Sequence, residues 1–409
     1  MSGFFASRWV QRPEHVRELE ATALPTGFRA AGVAAGLKPE GLDVGVLVSD
    51  AAETVSAARF TTNARVGAPV IASRDADVHR LRAVVANSGG SNTGDGQRGL
   101  DTARATQSLA AELLGVEAEQ VGVASTGVIG TELPREPLLA GVRAAVAELG
   151  DTAEEFSLAL MTSDRTPKRA CVEVAIPSGT VRLAAQAKGA GMISPRFATM
   201  FCFVQTDAAM AAETIELLTG VTVKRSFDRI SVDGQLSTSD TVFALASGAS
   251  GVRVEPETED ELRLGEAMDT LLRQLALEIV ADGEGCGRVG RIVVRGRSDL
   301  IEPVARAIAN SPLVKSALHG GDPNFGRILQ AAGMVYPPGN GFVADLEIED
   351  RLVVSAGEAI VDDLHELAAL VEGDEVQYTL TLPGGEAETE VFFSDLSPEY
   401  VRFNAEYTS

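Results

Sequence analysis

Between Lys188 and Phe203 a glycine-bearing loop runs into an unbroken apolar stretch, and the junction is the dipeptide Ala198-Thr199. Gly189 and Gly191, on either side of Ala190, let the backbone turn sharply and approach a ligand or another segment closely. Pro195 disfavours helix for Ser194 before it. Residues 200–204 are all apolar, which reads as a short buried strand. Thr199 therefore stands where a loop enters a core, so its hydroxyl can be held rigidly and still face a cleft. Taken alone, a threonine here is first a good strand residue. The second reading is nucleophilic. If the Thr199 hydroxyl attacks the carbonyl of Ala198, the chain is cut and Thr199 becomes a new N-terminus. Its own α-amine, with an ordinary pKa of about 7.7–8.0, can then serve as the base that activates the hydroxyl.

The chain has 409 residues, 45% of them hydrophobic, so a large core is easily buried and two domains are expected. A net charge of −23 argues against nucleic acid or an anionic membrane as partner, although a local cationic pocket can coexist with it. Cys171, Cys202 and Cys286 are odd in number and widely spaced, which fits a reducing cytosol and argues against a disulfide framework or a zinc site. His15, His79, His319 and His365 are isolated and show no metal-ligand spacing. Neither a signal peptide nor an apolar run near ~20 residues is evident, so a cytoplasmic chain without a membrane span is expected.

Read in order, residues 1–20 are polar and mixed and are expected to form an arm or frayed terminus. Residues 44–48, 56–62, 69–71 and 84–86 read as strands, and 101–114 as a helix capped by Asp101. Residues 121–130 form a strand that runs into the polar turn Ser125-Thr126-Gly127. Backbone N–H groups at such a turn can converge on one point, as stabilising the negative oxygen of acyl transfer requires. Helices are expected at 137–149 and 156–161, the second ending in the polar run Thr162-Ser163-Asp164 before Pro167. Residues 171–175 and 181–186 flank Pro177-Ser178-Gly179 as a hairpin, and Lys188 follows. Past the apolar strand come a helix at 208–219 and a loop of short hydroxyls and carboxylates from Ser231 to Thr241, a network fit to order the nucleophile's surroundings, with no proton roles assignable. Gly248 to Gly251 is the candidate break between domains. A long amphipathic helix spans 259–281 and ends at Asp282-Gly283-Glu284-Gly285, which suits a helix end presenting one carboxylate. Strands near 290–295, 342–348, 352–355 and 377–382, with helices at 300–310 and 362–371, suggest a second α+β domain.

Six separated segments resemble, in the right order, the ornithine acetyltransferase family, also called glutamate N-acetyltransferase. They include Lys188-Gly189-Ala190-Gly191-Met192-Ile193 with Ala198-Thr199-Met200, the Thr126-Gly127 turn, Thr162 with Asp164, Asp282-Gly283-Glu284-Gly285, the run from Asn310 to Arg327, and the terminal run from Tyr400 to Ser409. The chain departs from the family pattern at Gly90 to Thr93, at Ser163 and Arg165-Thr166, and at Cys286-Gly287.

The resemblance implies an α+β protein with a layered α/β/β/α arrangement of the Thr-nucleophile type, like DmpA and ornithine acetyltransferase, with a smaller C-terminal α+β domain. It places the oxyanion element and nucleophile in 1–250 and the second domain in 251–409. It further implies self-cleavage between Ala198 and Thr199 into chains 1–198 and 199–409, which stay associated, with an α2β2 assembly expected. Thr199 is then the nucleophile and Thr126 with Gly127 the oxyanion hole. Thr162, Lys188, Thr199, Glu284, Asn404 and Ser409 contact substrate, Glu284 at the α-amino group. The implied reaction is ping-pong transfer of acetyl from N2-acetyl-L-ornithine to L-glutamate in arginine biosynthesis. No metal or bound cofactor is implied, and acetyl-CoA enters only as a substrate of a bifunctional enzyme. Two other readings stand beside it. One is a divergent acyltransferase or amide hydrolase of a specialised pathway, motivated by the departures. The other is a non-catalytic binding or scaffold protein of the same fold.

Overall fold

The computed structural model describes residues 3–194, 200–339, 341–361 and 365–406. Its centre is a six-stranded sheet. The strands lie side by side in the order Val16–Glu18, Lys168–Ile176, Gly179–Lys188, Phe201–Thr206, Thr241–Ala246 and Val55–Phe60. Side chains alternate across a strand, and here both faces are apolar. Phe201, Phe203, Phe243 and Leu245 point to one face, and Cys202, Val204, Val242 and Ala244 to the other. That is why residues 200–204 show no polar alternation. The sheet is buried on both sides.

A four-stranded sheet packs on the first of these faces, in the order Phe28–Val33, Val44–Ser49, Ala83–Asn87 and Val121–Ser125. Phe28, Leu47, Val84 and Ala124 meet Phe201 and Phe203 in the shared core. Helices Ala68–Arg74, Gly96–Leu114 and Arg135–Ala147 cover the outer face of the smaller sheet. Helices Ala212–Arg225 and Glu259–Ala281 cover the outer face of the larger one. The result is the α/β/β/α stack that the family resemblance implies. A further core is built from residues between Ile292 and Phe393. There a seven-stranded sheet, centred on Val289–Gly296, Glu375–Thr381 and Ala387–Ser394, carries helices Ile301–Ala309, Pro312–Gly320 and Phe325–Gly333.

Several local expectations change. Residues 3–18 are not frayed. Phe4, Phe5, Trp9 and Val10 pack on the core, Arg8 pairs with Glu349 at 2.6 Å, and Val16–Glu18 adds a strand beside Lys168–Ile176. Residues 69–71 are helical, because the proline falls in the first turn, where its missing N–H costs nothing. The helix expected from Asp101 begins earlier, at Gly96, so Asp101 lies within it. Pro398–Glu406, in the run that resembles the family's terminal motif, is a helix.

Candidate functional site

The Thr126-Gly127 turn is set by the loop beside it. Strands Ala83–Asn87 and Val121–Ser125 run parallel, and both end at the same edge. Asn87 ties their exits together. Its carbonyl accepts from Thr126 N at 3.0 Å, its Oδ1 accepts from Ser125 Oγ at 2.6 Å, and its Nδ2 donates to Gly90 O at 3.1 Å. Gly127 has φ +123°, and a Cβ there would meet Gly89 C and Gly90 N at 2.7 Å. Only glycine lets the two loops lie this close.

Lys188 ends its strand inside the protein, 2% exposed. Its Nζ donates to Thr126 Oγ1 at 3.0 Å. An ammonium has donors only, so the threonine oxygen accepts and its own hydrogen is left to point elsewhere. Burial pushes the Lys188 pKa down, while Asp164 pulls it up. Asp164 is likewise enclosed. Burial would raise its pKa, but the charges of Lys168 and Lys188, with hydrogen bonds from Lys168 and Gly189, bring it down to about 2. Its Oδ1 accepts from Lys168 Nζ and from Gly189 N, each at 2.7 Å. Its Oδ2 accepts from Thr162 N at 3.1 Å. Lys168 reaches on to Asp282 Oδ2 at 2.6 Å. Three segments far apart in sequence, around residues 162–168, 188–191 and 281–285, are thus joined by one buried chain of charges.

Glu284 sits just past the end of the Glu259–Ala281 helix, with its N–H donating to Ala190 O at 2.9 Å. Ser163 Oγ donates to its Oε1 at 2.7 Å and Asn404 Nδ2 to its Oε2 at 2.9 Å. A Cβ on Gly191 would lie 2.5 Å from Oε1, so the glycine makes room for the carboxylate.

The segment containing Thr199 is fixed at both ends. Before it, Asp233 accepts from Met192 N at 2.6 Å and Ile193 N at 2.9 Å, and Met192 takes φ +56°. Tyr400 Oη donates to the same carboxylate at 3.4 Å. After it, Met200 N donates to Asp240 Oδ1 at 3.1 Å. Burial raises the pKa of both aspartates, Asp240 well above the carboxylate range.

Thr126, Gly127, Thr162, Lys188, Glu284 and Asn404, scattered over nearly 280 positions of sequence, all line one cavity of about 140 Å³. Ala198, Thr199 and Ser409 lie outside the described residues. The sequence marks the Ser231 to Thr241 loop, with Asp233 and Asp240, as a network fit to order the nucleophile's surroundings, and both aspartates hold the described flanks of 195–199; it gives no role to Lys168 or Tyr400. Asp164 and Lys168 did carry a signal, an oppositely charged pair four residues apart entering an apolar strand. Tyr400 begins the terminal run that resembles the family, but nothing local points it at Asp233.

A four-layered stack with a donor-rich turn, a buried lysine and an anchored carboxylate around one cavity is the architecture of an enzyme. The model of the ArgJ family matches residues 29–409. The arginine biosynthesis bifunctional protein ArgJ of Symbiobacterium thermophilum is 39% identical over 394 residues, covering 94% of this chain and 97% of that protein. The glutamate N-acetyltransferase of Methanocaldococcus jannaschii is 38% identical over 403 residues, covering 94% and 98%. Among solved structures, the ornithine acetyltransferase of Mycobacterium tuberculosis in complex with ornithine is 37% identical. It covers 44% of this chain and 98% of that one, with a TM-score of 0.41. The chain belongs to the ArgJ family.

Proposed function

We propose that this chain is a glutamate N-acetyltransferase that moves an acetyl group from N2-acetyl-L-ornithine to L-glutamate through an acetyl-Thr199 ester. The observation that carries the reading is the Lys188 Nζ contact to Thr126 Oγ1 at 3.0 Å, in a cavity that Glu284 also lines. It leaves the Thr126 hydroxyl free to donate toward a developing oxyanion, in company with the Gly127 N–H.

The chemistry runs in three stages. Thr199 Oγ attacks the Ala198 carbonyl and the C–N bond breaks, which leaves the Ala198 acyl group as an ester on Oγ and the nitrogen as the α-amine of Thr199; water then hydrolyses the ester, releasing the Ala198 carboxylate and the free Thr199 hydroxyl. That amine then takes the hydroxyl proton as Thr199 attacks the acetyl carbonyl of N2-acetylornithine. Thr126 and Gly127 hold the tetrahedral oxyanion, the amide C–N bond breaks, and the proton passes to the departing ornithine amine. Glutamate's α-amine attacks the ester, the C–O bond breaks, and Thr199 recovers its proton. Glu284 holds the nitrogen that leaves with ornithine and arrives with glutamate. Lys188, Thr162, Asn404 and Ser409 fix the rest of each amino acid. The sequence of steps requires neither metal nor bound cofactor, and acetyl-CoA is an additional donor if the enzyme is bifunctional. The fragments 1–198 and 199–409 stay together, two of each in an α2β2 assembly.

Two measurements test the reading. Intact mass under denaturing conditions is expected to give two fragments meeting at Ala198-Thr199. Initial rates with N2-acetylornithine and glutamate varied together are expected to give the parallel lines of a ping-pong reaction. One uncut chain, or no transfer between these substrates, would sink it. A Thr126→Val variant keeps the shape but loses the donor, and its kcat is expected to fall by roughly 10²–10³-fold.

A further inference from the structure

Ser163 and Arg165 are two of the places where this chain departs from the family pattern, and the reaction as derived uses neither. Both act on Glu284. Ser163 Oγ holds Glu284 Oε1 at 2.7 Å. Arg165 does not line the cavity. It holds the turn from which Glu284 projects. Its backbone N–H donates to Asp282 Oδ2 at 2.9 Å, its Nε to Asp282 Oδ1 at 2.9 Å and its Nη2 to Ala281 O at 2.7 Å. The last contact also places a cation at the C-terminal end of a 23-residue helix, where the helix dipole favours it. Asp282 itself is 7% exposed, and Lys168 holds it from the inner side. The turn is therefore clamped between a buried lysine and a surface arginine, two residues before the carboxylate that faces the substrate.

We infer that Arg165 is a positioning residue for Glu284, and that Ser163 orients the carboxylate it presents, so that together they set how tightly the site holds the amino nitrogen of its substrates. The inference rests on the reading of Glu284 given above. The Arg165 side chain is 58% exposed, so solvent screens its side of the pair and the gain in global stability is small. What it fixes is local. A displacement of about 1 Å at a substrate-holding group is enough to change rates or affinities by large factors.

The test compares wild type with Arg165→Gln, Arg165→Lys and Ser163→Ala. Arg165→Gln is expected to raise KM for glutamate and for N2-acetylornithine, and Kd for ornithine by calorimetry, about tenfold, with kcat within about twofold. Arg165→Lys keeps the charge but loses the planar fork, and is expected to recover part of the loss. Ser163→Ala moves KM the same way by about threefold, in line with one lost hydrogen bond. Self-cleavage, which does not use Glu284, is expected to proceed in all three as in wild type. In a Glu284→Gln background Arg165→Gln is expected to add nothing further, since paired residues acting through one group are not additive. KM and Kd within twofold of wild type in Arg165→Gln would overturn the inference. So would full additivity with Glu284→Gln, or a parallel loss of cleavage, kcat and affinity that marks general damage. A wild type that binds ornithine yet transfers no acetyl overturns the proposed function instead, and the Kd comparison still decides on Arg165.

Discussion

Thr199→Ala is expected to leave the protein as one uncut chain of 42.7 kDa and to lower acetyl transfer by roughly four to six orders of magnitude, the scale on which removing a nucleophile acts. The substitution deletes one hydroxyl and one methyl and leaves the backbone unchanged. The contacts that hold the flanks, Met192 and Ile193 on Asp233 and Met200 on Asp240, involve backbone N–H groups and persist. Folding is therefore expected to be retained while both chemical events fail together, because they share one oxygen. Thr199→Ser keeps an oxygen and is expected to cut, more slowly. Intact mass and the exchange assay on the same samples decide the matter. Fragments meeting at Ala198-Thr199 in the alanine variant, or transfer within tenfold of wild type, would remove Thr199 from the mechanism.

Lys168→Met is expected to produce the largest loss of stability, about 3–5 kcal/mol, the usual cost of deleting one partner of a buried ion pair. The Lys168 side chain is 1% exposed and bonded to Asp164 and Asp282 at 2.7 and 2.6 Å. Methionine matches its length but leaves two enclosed carboxylates facing each other. The pH dependence has a definite sign. In wild type the Asp164 pKa is lowered to about 2, below its unfolded value. Its contribution is thus present above the ordinary carboxylate range and is lost as pH falls through about 2. Without Lys168 the largest influence holding the Asp164 pKa down is gone, while Lys188 and Gly189 N remain, so the pKa rises from its wild-type value and the variant gains stability relative to wild type as pH falls. The gap in Tm between wild type and variant is therefore expected to be widest near neutral pH and to narrow toward pH ~4. A gap that does not change with pH would show that the buried carboxylates are not the cause.

The parts of the fold that sequence reveals are those whose environment is set by neighbours along the chain. The 259–281 helix announces itself through Leu264, Met268, Leu271, Leu272, Leu275 and Ile279, and the structure buries each of them. The hairpin around Gly179 is local as well. Residues 69–71 are not, because three apolar residues carry neither a strand nor a helix period. The first twenty residues look solvated in composition, yet Trp9 packs at a tilt against Phe392 with ring centroids 5.4 Å apart, a partner nearly four hundred positions away. The site divides in the same manner. Thr126-Gly127 and Glu284 stand in turns whose glycines are visible locally. The contacts of Ser163 with Glu284 and of Tyr400 with Asp233 span 121 and 167 positions, and no window of sequence contains both partners. For the same reason Arg165 looked like a sign of a different substrate, and Ser163 only like a mild change. In three dimensions they support a carboxylate the family pattern already has.

The order of strands in the central sheet has a consequence for the life of the protein. A break between residues 198 and 199 would leave Phe201–Thr206 and Thr241–Ala246 in one fragment, flanked by Gly179–Lys188 and Val55–Phe60 of the other. The fragments would be interleaved in the six-stranded sheet, and neither would retain that sheet alone. Their separation would require the six-stranded sheet to come apart, so dilution would not release them on any timescale shorter than that unfolding. Maturation of this kind is a one-way ratchet. The uncut precursor is the form able to find the fold, and once cut, a denatured molecule must reassemble from two partners at a rate that depends on concentration.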